Sequence, residues 1–103
     1  MKRIMFLTHR PAIRHIVFFS AKQKADLPQI IAGLGLLQDI PQANFFEVRE
    51  NTKGDIWSTD VDVVVYAEFA SEEDLAAYRA HPLYQQAIDI VRPLRDLRIA
   101  ADF

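Results

Sequence analysis

Nine residues, Ile13-Arg14-His15-Ile16-Val17-Phe18-Phe19-Ser20-Ala21, form a β-branched and aromatic run that predicts a strand. The hydrophobic period then changes. Leu27, Ile30, Ile31, Leu34 and Leu37 recur at helical spacing and put an apolar stripe on one side of a helix. Asp26 is placed to cap that helix, Pro28 suits its first turn, and Pro41 ends it. Gly33 and Gly35 each weaken a helix by about 1 kcal/mol relative to Ala, so both predict close packing on a neighbour. Alternation returns over Asn44–Glu50, a second strand, and Asn51-Thr52-Lys53-Gly54-Asp55 supplies turn chemistry behind it. Trp57 lies in this connection and reads as a lid or a contact between subunits. Asp62–Phe69, with three consecutive valines, is the third strand and the strongest strand signal of the chain.

Ser71-Glu72-Glu73-Asp74 starts the second helical region, with a serine cap and acids suited to a helix N-terminus. Leu75 and Tyr78 give its apolar stripe. His81-Pro82 breaks it, and Pro82 serves as first residue of a restarted helix with His81 as its cap. Leu83, Ala87, Ile90, Val91 and Leu94 are expected to face inward, and Leu97–Phe103 closes the chain as a short fourth strand. The order βαββαβ predicts a ferredoxin-like α+β sandwich, a four-stranded antiparallel sheet with helices on one face. Right-handed crossovers put strands one and three in the middle.

Both faces of those middle strands are apolar, yet the helices can cover only one. His15, Val17, Phe19 and Ala21 share a face, as do Val63, Val65, Ala67 and Phe69. Ile16, Phe18, Val64 and Tyr66 are left on the other, as a patch that monomers usually avoid. At roughly 100 Å² per residue, covering them yields on the order of 10 kcal/mol per subunit before the costs of association. A homodimer is therefore expected, its two sheets facing each other as a closed barrel with the helices outside.

Composition narrows the function. The 103 residues, half of them hydrophobic, make one domain and contain no apolar run long enough to span a membrane. Cysteine is absent, which removes disulfides, thiol catalysis and Cys-ligated metal centres. A net charge of −2 argues against nucleic acid as a partner. The first 25 residues nevertheless carry six bases and no acid. Met1-Lys2-Arg3 leads into only four apolar residues, Ile4–Leu7, which is too short for a secretory signal, so a plain extension and a cytoplasmic protein are expected.

The strand Ile13–Phe19 resembles the opening of the stress-responsive α/β-barrel (Dabb) family of the dimeric α+β barrel superfamily. The likeness continues through Leu37…Ile40-Pro41 and Asp62–Phe69, and is most specific at Ala77-Tyr78-Arg79-Ala80-His81-Pro82-Leu83-Tyr84. Arg92-Pro93-Leu94 and the closing Asp102-Phe103 match the family's later motifs. It covers residues 13–103 and leaves residues 1–12 as an N-terminal extension, a tail or an added edge strand from Ile4–Leu7. The resemblance implies a dimeric α+β barrel, in agreement with the burial argument. Gln42 departs from the family, many members having Gly there. The resemblance also implies that ligands sit between sheet and helices, where His15, Val17, Phe19, Val63, Val65, Tyr78 and Tyr84 are the candidate lining. The family's plant polyketide cyclases carry further histidines where this chain has Val63 and Tyr84, so only His15 and Tyr78 match their catalytic set.

Three functions stay open. One is a binder of a small hydrophobic or aromatic molecule. Another is a cofactor-free cyclase-like or monooxygenase-like enzyme, with His15 as base and Tyr78 polarising a carbonyl. The third is a structural or stress protein whose only partner is itself. His9, His15 and His81 lack metal-ligand spacing, and Gly33-Leu34-Gly35 lies inside a helical pattern rather than in a phosphate loop, so no metal or cofactor is expected. Phe18 and Tyr66 could mimic the stacking residues of an RNA-binding sheet, but the third-strand segment carries Asp62 and Glu68 and the matching basic motif is missing. An apolar cavity of a few hundred Å³ beside His15 and Tyr78 would favour the first two functions; a filled core would favour the third.

Overall fold

A computed structural model describes residues 10–103. The expected edge strand over Ile4–Leu7 lies outside the described residues. Four strands, β1 (Ile13–Ala21), β2 (Phe45–Glu50), β3 (Val63–Phe69) and β4 (Arg95–Asp102), form one sheet in the order β2-β3-β1-β4. All its pairings are antiparallel. The long apolar strands β1 and β3 take the centre, where both neighbours satisfy their backbone groups. The fold is thus ferredoxin-like, with three helices: α1 (Leu27–Gly35), α2 (Glu72–Ala80) and α3 (Pro82–Val91).

Local chemistry sets the element ends. A one-turn 3-10 helix, Lys24–Asp26, leads into α1. Asp26 consequently has helical backbone angles (φ −89°, ψ −1°) and makes no side-chain cap, because capping needs an extended residue there. Ser71 is extended, and its Oγ accepts from the Asp74 N–H at 3.1 Å. His81 is extended as well, and its Nδ1 accepts from the Leu83 N–H at 3.1 Å, so it caps the helix that Pro82 restarts. Strand β4 begins at Arg95, two residues before the expected start.

The core lies between the sheet and the helices, built on Val17, Phe19, Val63, Val65, Ala67 and Phe69 against Ile30, Leu34, Leu37, Leu75, Tyr78 and Val91. Gly33 lets α1 approach α3: a Cβ there would meet Ile90 Cγ2 at 2.8 Å and Val91 Cγ2 at 3.0 Å. Around Gly35 nothing lies within 4 Å of such a Cβ, so close packing holds for one glycine and not the other. Ile90 is exposed instead of facing inward, since Ala87 and Val91 take the buried positions of α3.

On the opposite sheet face, register aligns Phe18 with Val64 on one side and Ile99 on the other, and Ile16 with Tyr66 and Ala101. Phe45, Ile99 and Phe103 extend the apolar surface to both edges and are largely exposed. Trp57 is 88% exposed in the β2–β3 loop. That loop is anchored at Asp62, whose buried carboxylate accepts from the Ala21 N–H, Lys24 Nζ and Lys53 Nζ. No described helix is long and apolar enough to cross a membrane.

Candidate functional site

Register decides which side chains of β1 and β4 meet. His15 pairs with Asp102 across the ladder, both toward the helices, although 87 residues separate them. The imidazole Nδ1 donates to Asp102 Oδ1 at 2.5 Å, and Arg79 Nη2 of α2 donates to Asp102 Oδ2 at 2.9 Å. Burial raises the Asp102 pKa, but the bonds from His15 and Arg79 outweigh it and hold the carboxyl below its ordinary value. An ionised Asp102 only accepts, so it fixes the neutral ring with the proton on Nδ1 and leaves Nε2 as the basic nitrogen.

Tyr78 of α2 packs edge-on to His15, ring centroids 6.2 Å apart, and against Phe69 at 4.9 Å. It is 1% exposed. Burial pushes its phenol pKa up and the neighbouring Tyr84 adds to this, while Arg79 and Arg98 oppose it. The phenol therefore keeps its proton at neutral pH and acts as a donor. Among the described residues neither the Tyr78 hydroxyl nor His15 Nε2 has a hydrogen-bond partner, and the one sealed, unpaired side-chain polar atom is Gln42 Oε1. Both unpaired groups accordingly open onto free space.

That space is a cavity of about 310 Å³ between sheet and helices. His15, Val17 and Phe19 of β1 and Val65 of β3 form its floor. Leu34 and Leu37 close one side, while Tyr78, Tyr84, Ala87, Ile88 and Val91 form the helical wall. Tyr84 lies tilted on Tyr78, centroids 5.4 Å apart. The remaining lining is Arg92, Arg95 and Arg98.

Of the residues singled out in the sequence, His15, Val17, Phe19, Val65, Tyr78 and Tyr84 come together around this space. Val63 does not line it; on the same sheet face, it is fully buried in the core. Sequence reasoning missed Asp102 as the partner of His15, Arg79 as the second donor to that carboxylate, and the three arginines of the lining. The available signal was the predicted topology itself, because β4 beside β1 places alternate residues of the last strand on the His15 face. Among the described residues no group of three or more His, Asp or Glu side chains is gathered to hold a metal ion.

No curated protein matches the chain. Solved structures match it closely in fold. A dimeric ferredoxin-like protein of unknown function from Thermobifida fusca is 26% identical, with 88% of each chain covered and a TM-score of 0.75. A Dabb family protein with a ferredoxin-like fold from Mesorhizobium loti is 20% identical over 91% of this chain and 96% of its own, also with a TM-score of 0.75. The hydroxynitrile lyase of Passiflora edulis is 21% identical over 88% of this chain and 90% of its own, with a TM-score of 0.73. The family model of the stress-responsive A/B barrel domain matches residues 13–103. Motifs, fold and family model agree: the chain belongs to the stress-responsive A/B barrel (Dabb) family.

Proposed function

We propose that the protein is a homodimeric barrel that binds a small hydrophobic or aromatic molecule between its sheet and helices. The observation that carries this reading is the cavity of about 310 Å³, where aliphatic and aromatic side chains surround the unpaired His15 and Tyr78 groups and three arginines stand at the edge. Its volume lies at the lower end of the range for small-molecule sites. Dimerisation is supported by the apolar outer face around Phe18, and the Thermobifida fusca relative is described as dimeric. Aromatic ligands such as 4-propylphenol are expected to raise the melting temperature of the purified protein saturably. Ala87 lines the cavity, and Ala87→Leu puts three further carbons into it. Loss of the ligand shift in a folded Ala87→Leu protein would support the reading. Failure of every small aromatic to bind, or undiminished binding by the filled variant, would overturn it.

A second reading, a cofactor-free enzyme, is favoured by one further observation, the His15–Asp102 bond. It prepares Nε2 to take a proton from a carbon acid, while Tyr78 donates to the oxygen on which charge develops. A protein of the same fold is a hydroxynitrile lyase. In this reading Tyr78→Phe abolishes turnover and leaves ligand affinity within about twofold. Equal activity of the variant and the parent would exclude a role for the hydroxyl.

A further inference from the structure

We infer that the ligand carries an anionic oxyacid group, held at the edge of the cavity by Arg92, Arg95 and Arg98; this rests on the reading of the cavity as a ligand site. Three guanidiniums line a space otherwise walled mainly by aliphatic and aromatic side chains. Among the described residues none of the three forms an ion pair, whereas Lys24, Arg49, Lys53 and Arg79 each do. Arg95 reaches only the Asp96 carbonyl, at 3.3 Å. Three guanidiniums together make a positive field at the cavity edge that favours an incoming anion.

Backbone geometry gathers two of them. Arg98 pairs with Phe19 and Arg95 with Ala21, so between these pairs one residue of β1, Ser20, stands against two of β4, Asp96 and Leu97. Strict alternation would send Arg95 and Arg98 to opposite faces of the sheet; the bulge turns both toward the cavity. Ser20 stabilises the irregularity, its Oγ accepting from the Leu97 N–H at 2.8 Å in place of a ladder carbonyl. Arg92 closes α3, where the helix C-terminus alone would favour a cation. Arg95 and Arg98 lie at no helix terminus, and the bulge alone brings them to the same wall.

The guanidinium fork matches carboxylate and phosphate oxygens alike. The apolar part of the ligand then runs inward toward Tyr78 and His15. With about 30 Å³ per water-sized unit, the space holds a body on the order of ten non-hydrogen atoms.

The test is calorimetric titration of the full chain with three matched probes, 4-propylbenzyl alcohol, 4-propylbenzoic acid and 4-propylphenyl phosphate. At least one anion is expected to bind tenfold or more tightly than the alcohol, and the stronger anion identifies the oxyacid. Raising NaCl from 0.05 to 0.5 M is expected to weaken the anion and leave the alcohol unchanged. Arg95→Gln and Arg98→Gln, made singly and together, are expected to bring the anion down to the affinity of the alcohol. An alcohol that binds as well as both anions would overturn the inference and leave the cavity reading standing. Binding of none of the three would remove the cavity reading and the inference with it. An anion preference that survives the double replacement would also overturn the assignment to these arginines.

Discussion

Replacing Asp62 by Asn is expected to destabilise the fold by about 2–3 kcal/mol at neutral pH and by progressively less in acid. The residue is 3% exposed, and its carboxylate accepts from the Ala21 N–H at 2.9 Å, Lys24 Nζ at 2.5 Å and Lys53 Nζ at 2.7 Å. Burial alone would push its pKa up; the three donors outweigh burial and lower it from 3.8 to about 2. At 1.36 kcal/mol per pKa unit, the folded state prefers the ionised form by about 2 kcal/mol. Removing one member of a buried ion pair costs about 3–5 kcal/mol. Here both ammonium side chains are partly exposed, 62% and 37%, and regain water when the carboxylate is lost, so the smaller figure applies. The sign follows from the depressed folded pKa. Stability from Asp62 is complete above the unfolded value and is lost as pH falls through about 2. Urea unfolding of both proteins from pH 7 to pH 2, at fixed protomer concentration and ionic strength, measures the gap between them. Asp102 also has a lowered pKa, but it is present in both proteins and cancels in the difference. A gap that keeps its size from pH 7 to pH 2 would refute the reasoning. So would a neutral-pH gap below about 0.5 kcal/mol, the range of ordinary surface changes.

Two glycines in one helical region are expected to respond oppositely to alanine. Gly33→Ala drives a Cβ against Ile90 and Val91 and costs about 1–3 kcal/mol of overpacking, whereas Gly35→Ala meets open space and gains up to about 1 kcal/mol of helix propensity; thermal unfolding of the pair checks both signs. Phe18→Glu places a charge in the middle of the outer apolar face and is expected to yield a folded monomer by sedimentation at micromolar concentration; a dimer of unchanged affinity would relocate the interface. Asp102→Asn removes the carboxylate that fixes the His15 ring, so turnover under the enzyme reading should fall in that variant at neutral pH, which a steady-state assay beside the parent checks.

The central strands were legible because one face is sealed against the helices and the other is apolar and half-buried, so Ile13–Ala21 and Val63–Phe69 carry β-branched and aromatic residues nearly throughout. Edge strands bury less and carry weaker patterns. In β4 only Arg95 and Leu97 are even partly covered, so its polar start at Arg95-Asp96 gave no alternation to read. That is why the places of Asp102, Arg95 and Arg98 at the site escaped notice while those of His15, Val17 and Tyr78 did not. The misplaced Ile90 has a different cause: helical periodicity names a stripe, but Gly33 and its neighbour decide which side of the stripe is sealed. Asp26 failed as a cap because the 3-10 turn before it had already made its backbone helical.

The pairing of β1 with β4 has a consequence for folding and for breathing of the native state. Among the described residues it is the most distant strand pairing, joining Arg14 to Phe103 through reciprocal backbone bonds, and its closure entropy places it among the slow steps of folding. His15, its carboxylate partner Asp102 and two of the three arginines thus become a unit only when the last strand docks. Among the described residues β4 is bonded on one side alone, as β2 is, and an edge strand opens locally more readily than a central one. A ligand bridging Arg95, Arg98 and His15 would hold that strand down, so its amides should exchange with solvent more slowly in the bound protein than those of β2, the other edge. Binding and the integrity of the final strand would then be one equilibrium, measured from either side.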